Sequence, residues 1–65
     1  MNELRTWVAL NEAMQSATEE QCLKLLAAEK KGKRRKQFML RIHSRLNRVR
    51  AARERAELAK LASDA

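Results

Sequence analysis

The sequence predicts an all-α protein in which two short N-terminal helices precede one long basic helix, associated as a dimeric helical bundle or a coiled-coil-like pair. Three observations lead there. The 65 residues contain no proline and a single glycine, so the turn chemistry that small sheets need is missing. Aromatic content is confined to Trp7 and Phe38, again against a sheet. Apolar residues recur at three- and four-residue steps along successive segments. A chain this short buries only about 60% of the surface that its unfolded form exposes. It is therefore expected to form one domain over residues 1–65, with little room for a deep catalytic cleft.

The elements follow in order. Leu4, Trp7, Val8, Leu10 and Met14 share one helical face and predict a first helix over residues 3–15. Ser16-Ala17-Thr18 interrupts it. Thr18-Glu19-Glu20-Gln21 then has the pattern of a capping box, in which the threonine hydroxyl and the glutamine side chain each satisfy an otherwise unpaired backbone amide. A second helix is expected over 19–31, with Cys22, Leu25 and Leu26 as its stripe. Glu19 and Glu20 in its first turn and Lys30-Lys31 in its last match the helix dipole. Gly32 fits the end of that helix because glycine adopts positive φ without a Cβ penalty, although a continuous helix through it remains the alternative reading.

From Lys33 onward the chain is rich in Ala, Leu, Arg, Lys and Glu, and a long helix is expected over 33–62. Such a helix reaches about 45 Å, against a radius of gyration of about 11 Å for a globule of this length, so it must protrude or pair. Met39, Ile42, Leu46, Val49 and Ala56 run close to an a/d seam and are the expected oligomer interface; Arg53 and Lys60 weaken it toward the C-terminus. Leu40, Ala51 and Leu58 lie on roughly the opposite side, which predicts a helix covered once by its own N-terminal helices and once by a second copy. Arg50 with Glu54 and Arg53 with Glu57 have the spacing of helix-stabilising ion pairs. The last four residues, 62–65, should fray.

Charge is the most distinctive feature. Residues 1–29 carry five acids against Arg5 and Lys24, a balance of −3, and the remainder carries +10. Between Lys30 and Arg53 there are eleven Lys or Arg and no acid. The expected partners are polyanions, duplex nucleic acid first, or an acidic protein surface. Arg41, Arg45 and Arg48 are spaced to lie in one row, which Arg34 and Arg55 extend. Guanidinium groups in such a row fork onto phosphate oxygens or guanine edges. Lys30, Lys31, Lys33, Arg34, Arg35 and Lys36 form a denser cluster around Gly32, where a helix start also offers amides to an anion. The bland alternative is a solvated helix face, or a set of arginines paired with the acids of the N-terminal half. Asn47, a residue type that reads adenine bidentately, sits on the same helix.

Other chemistry finds little footing. His43-Ser44 has no second histidine and no acid nearby in sequence to orient the imidazole, so no enzymatic activity is expected. One cysteine and one histidine do not close a zinc site, and no metal or cofactor is implied. Cys22 has no partner for a disulfide and reads as a small buried hydrophobe in a reducing cytoplasm. Trp7 is exposed or in the core depending on how the first helix docks, with the core the favoured reading. With two aromatics, stacking platforms for single strands are nearly absent, which favours duplex backbone contact. Glu3, Arg5, Asn11 and Glu12 interrupt the N-terminal apolar residues, against a signal peptide or membrane span.

The stretch TEEQCLKLLAAEKKGKRRKQFMLRIHSRLNRVRAARERAEL, residues 18–58, resembles short basic helical open reading frames of tailed-phage genomes, most distinctively in RIHSRLNRVRAARER. The resemblance covers about two thirds of the chain and implies an accessory role in a host cytoplasm, without binding residues to transfer. Two functions are thus expected: a nucleic-acid-binding or regulatory protein contacting phosphate through a basic helix face, or an inhibitor or adaptor that docks on an acidic host protein.

Overall fold

Two threonines and one glutamate decide where the helices begin and end. Thr6 is extended (φ −138°, ψ 162°) and its hydroxyl accepts the Ala9 amide at 3.1 Å, so the first helix, α1, is Trp7–Met14. The expected start at residue 3 is corrected: Asn2–Leu4 is a 3₁₀ turn, closed by the Arg5 amide on the Asn2 carbonyl at 3.1 Å. A 3₁₀ turn repeats every three residues and so continues the apolar spacing of α1 without being part of it. Thr18 forms the full capping box with Gln21, at 3.2 Å and 2.9 Å, and α2 spans Glu19–Lys31. The computed structural model describes residues 2–64, and α3, Lys36–Asp64, is its last element; no strand occurs among the described residues.

The chain does break at Gly32, but the left-handed residue is not the glycine. Gly32 has φ −98°, while Arg34 has φ 52°. What glycine supplies is close approach: a Cβ there would lie 3.2 Å from the Ala28 carbonyl oxygen. The Gly32 amide donates to Ala28 and Glu29 carbonyls at 2.9 and 3.2 Å, and the Arg34 amide donates to the Glu29 carbonyl at 2.9 Å, so both of these carbonyls in the last turn of α2 are satisfied. Arg34 Nε donates to the Lys30 carbonyl at 2.8 Å and ties the unusual backbone down. The long helix consequently starts at Lys36 rather than 33 and continues past 62 to Asp64; Ala65 lies outside the described residues.

Contacts along α3 set the topology. Trp7 meets Phe38, Asn11 meets Arg41 and the Ala17 carbonyl meets Arg45, so α1 runs alongside α3 in the same direction. Glu29 meets Arg35 and Glu19 meets Arg53, so α2 runs the opposite way. The three helices enclose one core of Leu10, Met14, Ala17, Cys22, Leu25, Phe38, Ile42 and Leu46, with Leu4, Ala13 and Leu26 packed against it. Cys22 is buried there as a free thiol, and burial pushes its pKa up.

This core corrects two expectations. Ile42 and Leu46, placed at a seam between copies, are 0% and 3% exposed within the chain itself, covered by α1 and α2; Met39 and Val49 are half-buried beside them, and Ala56 is exposed. The apolar stripe of α3 is consumed by the N-terminal half because both amphipathic helices fold onto the same side. Trp7 is 44% exposed, one edge against the Phe38 ring at 5.6 Å between centroids and the rest open.

Beyond Arg50 every residue of α3 through Asp64 is exposed, an overhang of about 21 Å. The radius of gyration is accordingly 14.1 Å and the extents are 47 × 20 × 16 Å. No helix among the described residues is long and apolar enough to cross a membrane.

Candidate nucleic-acid interface

Of the arginines singled out by sequence, three are turned toward the protein's own structure. Glu29 occupies a core position of α2, four residues after Leu25 and seven after Cys22, and is 2% exposed. Its carboxylate accepts the Arg35 amide at 2.8 Å, Arg35 Nε at 2.9 Å and Arg35 Nη2 at 2.8 Å. Arg35 Nη2 also donates to the Leu4 carbonyl at 2.8 Å, and its guanidinium carbon lies 3.5 Å from the centroid of the Phe38 ring. One arginine thereby joins the 3₁₀ turn, the end of α2 and the start of α3. The hydrogen bonds from Arg35 hold the Glu29 carboxyl below its ordinary pKa, outweighing the burial that would raise it, and Glu29 in turn raises that of Arg35. Glu29 has also taken the Arg35 amide that the start of α3 would otherwise have offered to an anion.

Arg41 and Arg45 are half-buried. Arg41 Nε donates to the Asn11 side-chain oxygen at 2.8 Å, and Arg45 Nε donates to the Ala17 carbonyl at 3.0 Å, satisfying backbone beyond the end of α1. Glu19 collects two more cations: Arg53 Nε at 2.9 Å and Arg50 Nε at 3.5 Å. Hydrogen bonding from Arg53 lowers the Glu19 pKa, and Glu19 with Glu57 raises that of Arg53. Arg50 therefore faces Glu19 rather than the expected Glu54, whereas Arg53 does reach Glu57 at 2.9 Å.

The remaining cations point outward. Lys30, Lys31, Lys33, Lys36, Arg48 and Arg55 are exposed, and their side chains make no ion pair or hydrogen bond among the described residues. Arg34 is exposed too, with Nε alone engaged. The α2–α3 turn thus gathers Lys30, Lys31, Lys33, Arg34 and Lys36 at one end of the bundle, and Arg48 stands on α3 beyond the last residue of α1. A groove between α1 and α3, lined by Met14, Gln15, Arg41, Ser44, Arg45 and Arg48, leads from the bundle to that arginine.

The sequence signal that separates these two classes is slender. Glu29 was detectable, as an acid interrupting the Cys22-Leu25 stripe at a core position. The Asn11 and Ala17 partners are 30 and 28 residues from their arginines, and nothing local announces them. No family model, curated protein or solved structure matches the chain.

Proposed function

We propose that the protein binds duplex nucleic acid through phosphate contacts made by the lysines and arginines left outward at the α2–α3 turn and along α3. The observation that carries this reading is the sorting of cations: the acids in contact with the basic stretch, Glu19, Glu29 and Glu57, are engaged by Arg50, Arg53 and Arg35, and the side chains of Lys30, Lys31, Lys33, Lys36, Arg48 and Arg55 stay exposed and unpaired among the described residues. An extended array of this kind releases condensed counterions when it meets a phosphate backbone, which drives binding without any pocket. Arg41 and Arg45 serve chiefly to hold α1 on α3, and their contribution to the surface is the positive field they add.

Fluorescence anisotropy of a labelled 20-base-pair duplex at low salt tests the reading, with a charge-reversed protein carrying Lys31→Glu, Lys33→Glu and Lys36→Glu beside it. Micromolar binding by the parent and its loss in the folded variant support it; no binding by the parent removes it.

A second reading, an adaptor docking on an acidic protein surface, is favoured by one observation. Trp7, Val8 and Leu40 are exposed apolar side chains, and Trp7 and Leu40 line a shallow recess with Gln37 and Arg41. A pull-down from nuclease-treated lysate of the native cells discriminates: a protein retained after nuclease supports the adaptor, and loss of all partners supports nucleic acid.

A further inference from the structure

The face of α3 turned away from the core has an order of its own. At 100° per residue, Arg41, Arg48 and Arg55 follow one flank at seven-residue intervals, and Lys36, His43 and Arg50 follow the other. Between the two rows, over an arc of about 140°, lie Gln37, Leu40, Ser44, Asn47 and Ala51. All five are exposed, because α1 and α2 cover the opposite side through Ile42 and Leu46. No acid falls on this face until Glu54. The ridge is therefore made of amide, hydroxyl and small or aliphatic side chains, bordered by the outward Arg48 and Arg55 on one side and by Lys36 on the other, while Arg41 and Arg50 in the same rows are engaged by Asn11 and Glu19.

We infer that this ridge enters the major groove of B-form DNA, with Gln37, Ser44 and Asn47 at base edges and Lys36, Arg48 and Arg55 on the bordering phosphates; this rests on the phosphate-binding reading above and adds base recognition to it. The dimensions agree: an α-helix with side chains is about 10–12 Å across and the major groove is about 12 Å wide. The chemistry agrees as well. Asparagine and glutamine pair bidentately with adenine, serine bonds donors or acceptors, and Leu40 and Ala51 present apolar surface suited to a thymine methyl, so the favoured sites contain A·T pairs. The Asn47 amide nitrogen lies 3.4 Å from His43 Nδ1, and the residue stays exposed. An A-form RNA duplex has a major groove too narrow to admit the helix and is not a base-read ligand.

The test is selection from a randomised DNA duplex pool, followed by anisotropy titration of the enriched duplex, a scrambled duplex and the RNA duplex of the enriched sequence, all at one salt concentration. The expected result is enrichment of an A·T-containing site and roughly 5- to 100-fold weaker binding of that site by Asn47→Ala. Scrambled DNA should be bound about equally by parent and variant, and RNA no better than scrambled DNA. Replacing adenine by 7-deazaadenine in the enriched site, which removes a major-groove acceptor, should mimic the protein substitution. Gln37→Ala, at a second exposed position, should lower the same ratio. Failure to enrich any sequence, or equal losses on both DNAs, overturns base reading while retained binding of scrambled DNA by the parent keeps the phosphate interface; absence of binding to every duplex overturns both.

Discussion

Replacing Glu29 by glutamine isolates the most consequential polar contact in the fold. The side chain keeps its shape, but the carboxylate that takes three hydrogen bonds from Arg35 becomes an amide whose NH2 group faces guanidinium donors. Glu29 is 2% exposed, so water does not compensate. Removing one partner of a buried charged pair costs about 3–5 kcal/mol, and the 28% exposure of the Arg35 side chain argues for less, about 2–3 kcal/mol. A domain of this length has about 3–10 kcal/mol in total. The expected fall in Tm is therefore about 10–20 °C at pH 7, followed by far-UV circular dichroism.

The same pair fixes the pH dependence. The Glu29 carboxyl is held below its ordinary value of 4.5 in the folded chain, so the unfolded chain binds the proton more readily. Its stabilisation is complete above about pH 4.5 and is lost as pH falls through the folded value. The gap between parent and Glu29→Gln should accordingly close on acidification. A variant within about 0.5 kcal/mol of the parent at pH 7, or a gap that widens at acid pH, would refute the role given to this pair.

Three further outcomes follow from the packing. Ile42→Ala should cost about 3–4 kcal/mol in urea unfolding, and by the same amount at all protein concentrations, because the side chain is 0% exposed within one chain; a loss that depends on concentration would restore the seam between copies. Thr18→Ala should cost about 1 kcal/mol through loss of the capping box, with hydrogen exchange quickened first in the opening turn of α2. Removal of residues 59–65 should leave the unfolding free energy within about 0.5 kcal/mol of the parent, since the described residues of that segment are exposed and the Arg53–Glu57 contact is kept; a larger loss would mean that the overhang is covered in solution.

Much of the fold was legible because its punctuation is local. The Thr18-Glu19-Glu20-Gln21 box and Gly32 mark ends with chemistry contained in a few consecutive residues, and the breaks fall there. The start of α1 was less legible, because a 3₁₀ turn ahead of Thr6 preserves the apolar spacing. The fate of α3's stripe could not be read from spacing alone. An a/d-like run is the same whether the partner is another chain or two short helices of its own, and only the accumulated match of Leu10, Met14, Cys22 and Leu25 to Ile42 and Leu46 decides it. The candidate surface was legible as a region and not residue by residue. Charge counting found the basic stretch; which arginines are spent depends on contacts such as Arg41 with Asn11 that span the whole fold.

Whether the unpaired cations meet phosphates is measured directly by the salt dependence of duplex binding. With Lys30, Lys31, Lys33, Lys36, Arg48 and Arg55 outward, and most of them in contact, the slope of log K against log salt should lie between about −3 and −5. A slope within about one unit of zero, or no duplex binding at 50 mM salt, about the low end at which such contacts are strongest, would contradict it.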